Sequence, residues 1–152
     1  MQNIDYNFGD YSITTDKSKL DLIAIHDFLA NYSGWSNNIS FEKVKNSIEN
    51  SLNFGLFHFD KQIGFARVIS DFSTIAYLGD VYVLEKYRGQ GLSNELMDTI
   101  MKHPDLQGLR RWILLTSTAD WLYKKYGFAK LSKPEIYMEL YNPNVYKMDN
   151  EN

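Results

Sequence analysis

Asp80-Val-Tyr-Val-Leu-Glu-Lys-Tyr87, followed by Arg88-Gly89-Gln90-Gly91-Leu92-Ser93-Asn94, is the part of this sequence best suited to chemistry. A strand-like apolar run leads through two glycines into a helical pattern at Leu92, Leu96, Ile100 and Met101. Glycine lets a ligand come close to the backbone. The first N–H groups of a helix are free, and with the helix dipole they attract phosphate. Such a loop is a pyrophosphate cradle that needs little net positive charge. Gly-x-Gly before a helix is equally the sequence of a tight strand-to-helix turn, and these residues alone leave both readings open. A dinucleotide fingerprint wants a third glycine where Asn94 stands, and a P-loop wants Gly-Lys-Ser/Thr, which is absent.

A second segment, Ala119-Asp-Trp-Leu-Tyr-Lys-Lys-Tyr-Gly-Phe128, places Tyr123 on the inner face of a short helix pattern closed by Gly127. The glycine loop resembles motif A of the GCN5-related N-acetyltransferases (GNAT), Arg/Gln-x-x-Gly-x-Gly/Ala, as Arg88-x-x-Gly91-x-Ser93. Ser93 departs from that pattern but stays small, and its hydroxyl can donate to phosphate or cap the helix. The downstream segment resembles the Ala-x-x-Leu-Tyr-x-x-x-Gly-Phe element of the same family. With the order of elements, the similarity covers most of residues 11 to 140.

The resemblance implies an α/β fold in which an antiparallel N-terminal half joins parallel strands splayed around a coenzyme A site, with helices on both faces of the sheet. It implies acetyl-CoA as acyl donor, no metal, and direct transfer of acetyl to an amine. Val81, Tyr82 and Val83 would line the pantetheine arm like an added strand, and Arg88, Gly89, Gln90, Gly91, Leu92, Ser93 and Asn94 would surround the pyrophosphate. An N–H near Val83 would meet the oxyanion. Tyr123 matches the tyrosine that protonates the departing thiolate, and it reads equally as a core aromatic on an amphipathic helix. Asp80 is the candidate base, acting through water, or else a cap or salt-bridge partner. Trp35 is a candidate wall of the acceptor pocket, and Tyr126 reads as packing. A non-catalytic acyl-CoA-binding sensor or accessory protein is the alternative with the same fold.

Composition narrows the rest. The chain has 152 residues, the size of one domain, with net charge −3, no cysteine and an aromatic share of 15%. A pI near 5.6 opposes a nucleic-acid partner. Lack of cysteine excludes a cysteinyl acyl-enzyme and a thiolate metal site. No run approaches eighteen apolar residues, and the start lacks a basic region followed by an apolar run, so a cytoplasmic protein with no membrane partner is expected. The expected partner is a small-molecule or peptide amine, and a homodimer is the assembly the sequence leaves open.

The elements that must position these residues follow from periodicity. A strand at Tyr11–Thr15 precedes a helix with Leu22, Ile25 and Leu29 on one face, Asp16 and Ser18 as cap candidates and an end near Tyr32. After the turn-rich Ser33–Asn38, Ser40 caps a helix with the stripe Phe41, Val44, Ile48 and Leu52. Gly55–Asp60 and Ile63–Ile69 form a hairpin, which Ile75–Leu84 extends. His103-Pro104 stops the helix after the glycine loop, Trp112–Leu115 reads as a central strand, and Ile136–Leu140 as a last strand. From Tyr141 onward a frayed polar tail is expected.

Overall fold

Apolar residues run with period two through the middle of the chain, and they fold as a meander. In the computed structural model, which describes residues 1–150 (side chains through 147), the sheet has six strands in sequential order. These are β1 (Asp5–Phe8), β2 (Tyr11–Thr14), β3 (Leu52–His58), β4 (Lys61–Ser70), β5 (Ile75–Val83) and β6 (Arg111–Leu114). Every neighbouring pair is antiparallel except β5–β6, which is parallel. Helices α1 (Leu22–Asn31) and α2 (Phe41–Glu49) lie between β2 and β3. Helix α3 (Leu92–Met101) crosses from β5 to β6, and α4 (Asp120–Lys124) and α5 (Val145–Asn150) follow.

The pleat sends alternate residues to two apolar clusters. Ala66, Leu78 and Val83 join α3 and α4 through Leu92, Leu96, Met97, Leu122 and Tyr123. Phe65 and Tyr82, direct partners across β4 and β5, join α1 and α2 through Ile25, Phe28, Leu29, Val44 and Ile48. Helices thus cover both faces, as expected.

Local chemistry explains where element boundaries differ from expectation. Asp21, not Asp16 or Ser18, caps α1, its carboxylate accepting from the Ala24 N–H, while Asp16 caps a separate turn at Lys17–Lys19. Ser40 caps α2 as read, but that helix ends at Glu49. The buried Asn53 amide donates to the Ile48 and Ser51 carbonyls and turns the chain, so Leu52 starts β3 instead of extending the stripe. Strand β1 lies outside the expected set because Asp-Tyr-Asn-Phe alternates for only four residues and is almost wholly exposed; it is held by pairing with β2.

Two further expectations are corrected. Strand β6 is not central: it is the edge of the sheet, paired only with β5. Residues 136–140 form no strand, because the segment is swept into solvent and only Tyr137 is partly covered. The tail is not frayed throughout, since Val145–Asn150 is helical and Tyr146 packs against the α1–α2 cluster; residues 151 and 152 lie outside the described residues.

Candidate active site

A β-bulge creates the opening. Phe65 pairs with Tyr82 and Arg67 with Gly79, so one residue of β4 faces two of β5, Asp80 and Val81. Asp80 takes a left-handed φ of 54°, which aspartate tolerates better than most residues at a cost of about 1–2 kcal/mol. The parallel β5–β6 ladder runs from Ile75–Arg111 to Leu78–Leu114 and stops there, immediately before the bulge. From Gly79 to Val83, β5 therefore has no neighbour on its β6 side. The two strands splay, and a stretch of backbone is left for an extended ligand to pair with.

Asp80 is tied on both oxygens. Arg67 Nε donates to Oδ2 at 3.0 Å and Trp35 Nε1 donates to Oδ1 at 3.1 Å. Arg67 also donates to the Ser51 hydroxyl at 3.1 Å, and the Arg67 and Asp80 side chains are only 16% and 13% exposed. This shielded ion pair holds the strained bulge and fastens the α1–α2 loop, which carries Trp35, to the sheet. Trp35 is itself half exposed and lies 6.2 Å from the Phe28 ring, which stacks on Tyr82 at 3.8 Å. Of the three residues read as pantetheine contacts, Tyr82 turns its ring into the α1 face, Val83 is buried towards α3, and Val81 is partly buried. Burial lifts the Tyr82 phenol well above its ordinary pKa.

The glycine loop closes one end of the splay. Gly91 is the N-cap of α3 with φ 79°, and no side chain caps the helix, so its first-turn N–H groups face a cleft unfilled. A β-carbon built at Gly89 or Gly91 meets nothing within 4 Å, which shows open space at both. The cleft, about 210 Å³, is lined by Val83, Tyr87, Trp121 and the whole loop from Arg88 to Asn94 except Gln90. Gln90 points away and accepts from the Tyr11 hydroxyl at 3.1 Å. Arg88 folds back, its Nε donating to the Val83 carbonyl at 2.9 Å, so its side chain braces the loop against the strand end. A larger cavity of about 460 Å³ lies at the opposite end of β3 and β4, lined by Lys17, Ser51, Val68 and Phe72 among others. Its lining includes no glycine, and the one helical start there is the short turn at Lys17–Lys19, already capped by Asp16, so size is a poor guide here.

Tyr123 is 8% exposed and packs edge-on to Phe128 at 6.0 Å. Its hydroxyl has no hydrogen-bond partner among the described residues, and burial raises its pKa, so the phenol keeps its proton at neutral pH. Tyr126 does more than pack. Its hydroxyl donates to the Asn94 carbonyl at 3.0 Å and lies 2.8 Å from Asp98 Oδ1, which fastens the turn after α4 to the first two turns of α3. Burial and Asp98 push the Tyr126 phenol up to about 12. Gly127, at φ 92°, ends α4 as expected.

Sequence reasoning passed over Trp121 and Arg67. Trp121 is an exposed indole on the cleft rim, detectable as an aromatic on the outer face of the Tyr123 helix. Arg67 is a lone cation inside an apolar strand, and such a residue needs a partner. The histidines outside the cleft are held by the fold: His26 Nε2 lies 2.9 Å from the Ile39 carbonyl and His58 Nδ1 3.2 Å from the Tyr87 hydroxyl.

Residues 50–130 match the model of the acetyltransferase (GNAT) domain, a span that holds the bulge, the glycine loop and the Tyr123 helix. This chain belongs to the GNAT family of acetyltransferases. A solved GNAT-family protein from Xanthomonas campestris pv. campestris is 47% identical with a TM-score of 0.89, covering 92% of this chain and 99% of that one. An uncharacterized N-acetyltransferase, ycf52-like, of Prochlorococcus marinus is 34% identical over 117 residues, 74% of this chain and 62% of that relative. A predicted acetyltransferase of Clostridium acetobutylicum crystallised with acetyl-CoA shares the fold at 19% identity and a TM-score of 0.65, over 86% of this GNAT chain and 94% of its own.

Proposed function

We propose that this protein transfers acetyl from acetyl-CoA directly to an amine. The observation that carries the reading is the splay between β5 and β6 opening beside the uncapped, glycine-led N-terminus of α3. A fold relative crystallised with acetyl-CoA supports the choice of donor. The first-turn N–H groups of α3 hold the pyrophosphate, and the unpaired stretch of β5 hydrogen-bonds the pantetheine arm. Trp121, on the rim, offers a face for the adenine or the arm to stack on.

An unprotonated amine attacks the thioester carbon, and the oxyanion forms beside the backbone N–H groups near Val83. The carbon–sulfur bond then breaks with its electron pair going to sulfur, and the Tyr123 phenol gives its proton to that thiolate. The nitrogen sheds its extra proton to water, and the phenolate recovers one. Asp80 acts best as a positioning group, since both of its oxygens are engaged in orienting the bulge and Trp35. Trp35, Phe28 and the α1–α2 loop form the acceptor side. Release of free thiol from acetyl-CoA, followed across a panel of small amines and peptides, tests the reading. Acetylated product with at least one amine is expected. Coenzyme A binding without transfer to any amine would support a sensor or accessory role instead.

A further inference from the structure

The α1 side of the sheet carries charge of one sign. From Leu20 to Glu42, through α1 and the loop that follows it, the chain has three carboxylates, Asp21, Asp27 and Glu42, and neither lysine nor arginine. Asp21 accepts from the Ala24 N–H and Asp27 from the Asn31 amide, and neither has an ion-pair partner among the described residues. Asp80 differs, because Arg67 neutralises it. Carboxylates on a helix surface are not a site by themselves, and here Tyr82 supplies what they lack.

Tyr82 is 6% exposed, and its ring stacks on Phe28 of α1 at 3.8 Å and 15°. Its hydroxyl nevertheless has no hydrogen-bond partner among the described residues. Burial, and then the charges of Asp21, Asp80 and Asp27 that the hydroxyl faces, lift the phenol above its ordinary pKa. A covered hydroxyl without a partner costs free energy that a ligand group recovers. Beside it the Trp35 indole is 53% exposed and fixed in orientation by its Nε1 bond to Asp80 at 3.1 Å. Among aromatic faces, indole attracts cations best. A phenol oxygen, two carboxylates free of ion pairs and an open indole face hold a cation and repel an anion.

That cation is not the nitrogen that reacts. Attack on a thioester needs an unprotonated amine, and groups that favour the charged form would oppose it at that position. Tyr82 belongs to the stretch of β5, Gly79 to Val83, that has no neighbour on its β6 side, so its ring lies on the α1 face of the backbone that would hold the pantetheine arm. A charge held there is close to the thioester without being at it. A second charge in the same molecule also lowers the pKa of the reacting amine, which frees its lone pair.

We propose that the acceptor is a small dication, in which one nitrogen takes the acetyl group while the other stays protonated against the Tyr82 hydroxyl, Asp27, Asp21 and the Trp35 indole. This deepens the acetyltransfer reading and rests on it for the reacting nitrogen. The acetyl carbon leaves sulfur for the first nitrogen, which gives up its proton to water, and the second nitrogen keeps all its bonds.

Three acceptors of matched length test it: 1,4-diaminobutane, butylamine and 4-aminobutanoate. With acetyl-CoA saturating, kcat/KM for the diamine should exceed that for butylamine by about tenfold or more, with the carboxylate below both. Asp27→Asn should remove most of that preference while leaving the butylamine rate, coenzyme A affinity and melting temperature unchanged, and Asp27→Glu should restore it. Equal rates for diamine and butylamine, a preference for 4-aminobutanoate, or a preference that survives Asp27→Asn would overturn the proposal. Calorimetric titration of the coenzyme A-loaded protein with the diamine and with butylamine separates this failure from that of the reaction. Tighter, Asp27-dependent binding of the diamine without transfer to any amine leaves the cation site standing and removes the acetyltransfer reading. Binding of the diamine no tighter than butylamine removes the cation site, whatever the transfer assay shows.

Discussion

In the proposed reaction one side chain, that of Tyr123, and one missing side chain, at Gly91, carry most of the chemistry. Tyr123→Phe keeps the ring and its edge contact with Phe128 but deletes the proton meant for the thiolate. Turnover should fall on the order of 10²-fold or more with coenzyme A affinity nearly unchanged, measured with an acceptor and conditions that make chemistry limiting. Near-native turnover would return Tyr123 to the core. At Gly91, φ 79° and open space separate two effects. Gly91→Ala incurs only the left-handed backbone cost of roughly 1–2 kcal/mol. Gly91→Glu adds to this a carboxylate where phosphate approaches. The alanine variant should still bind coenzyme A and the glutamate variant should not, with thermal melts confirming that both fold. His103 gives a prediction about acid. It is 1% exposed, its Nδ1 accepts from the Asp105 N–H, its Nε2 is buried without a partner among the described residues, and burial lowers its pKa. The unfolded chain then takes up a proton below about pH 6.5 that the folded chain refuses. Its share of stability is complete above that pH and is lost as pH falls from there towards the folded value. Denaturation midpoints should decline over that range, and His103→Asn should decline less steeply.

The bulge of β5 is the element on which the site depends, and it was the least legible part of the sequence. The strand itself was read from Ile75 to Leu84 and the glycine loop to the residue, because apolar periodicity and Gly-x-Gly are local signals. Nothing local announces that Asp80 adopts φ 54°: that conformation is stabilised from elsewhere, by Arg67 on β4 and Trp35 beyond α1. The reading of Trp35 as an acceptor-side wall and of Asp80 as an ion-pair partner converge on one network, whereas Arg67 was missed. Strand β6 shows the opposite failure. Trp-Ile-Leu-Leu looks central because it is wholly apolar, and it lies at the edge because the segment that could cover it, residues 136–140, is out in solvent. Removing one partner of the shielded ion pair leaves the other charge uncompensated, so Arg67→Met should destabilise by about 3 kcal/mol in urea titrations. It should also weaken turnover more than coenzyme A binding, because the glycine loop does not rest on Arg67 while the bulge and the Trp35 loop do. Equal losses in both would place the bulge outside the reaction.

Across the whole molecule, one twisted sheet separates two jobs. In the proposed reaction the α3–α4 face and the splay of β5 from β6 are the donor side, and they fall within the stretch that matches the GNAT domain at residues 50–130. The α1–α2 face, built from the residues least like any motif, is the proposed acceptor side, with Phe28 and Trp35 at the bulge. That division explains why the donor was readable and the acceptor was not. A cofactor common to a family is gripped by backbone and glycine, which leave a sequence signature, while an acceptor is gripped by side chains on loops. The most direct test of the account is calorimetric titration of the protein with acetyl-CoA. The account predicts saturable binding at one site per chain, with a dissociation constant between about 1 µM and 1 mM, lost in Gly91→Glu and kept in Tyr123→Phe. Absence of binding heat in the unaltered protein across that range at more than one temperature, or full binding in Gly91→Glu, would contradict it.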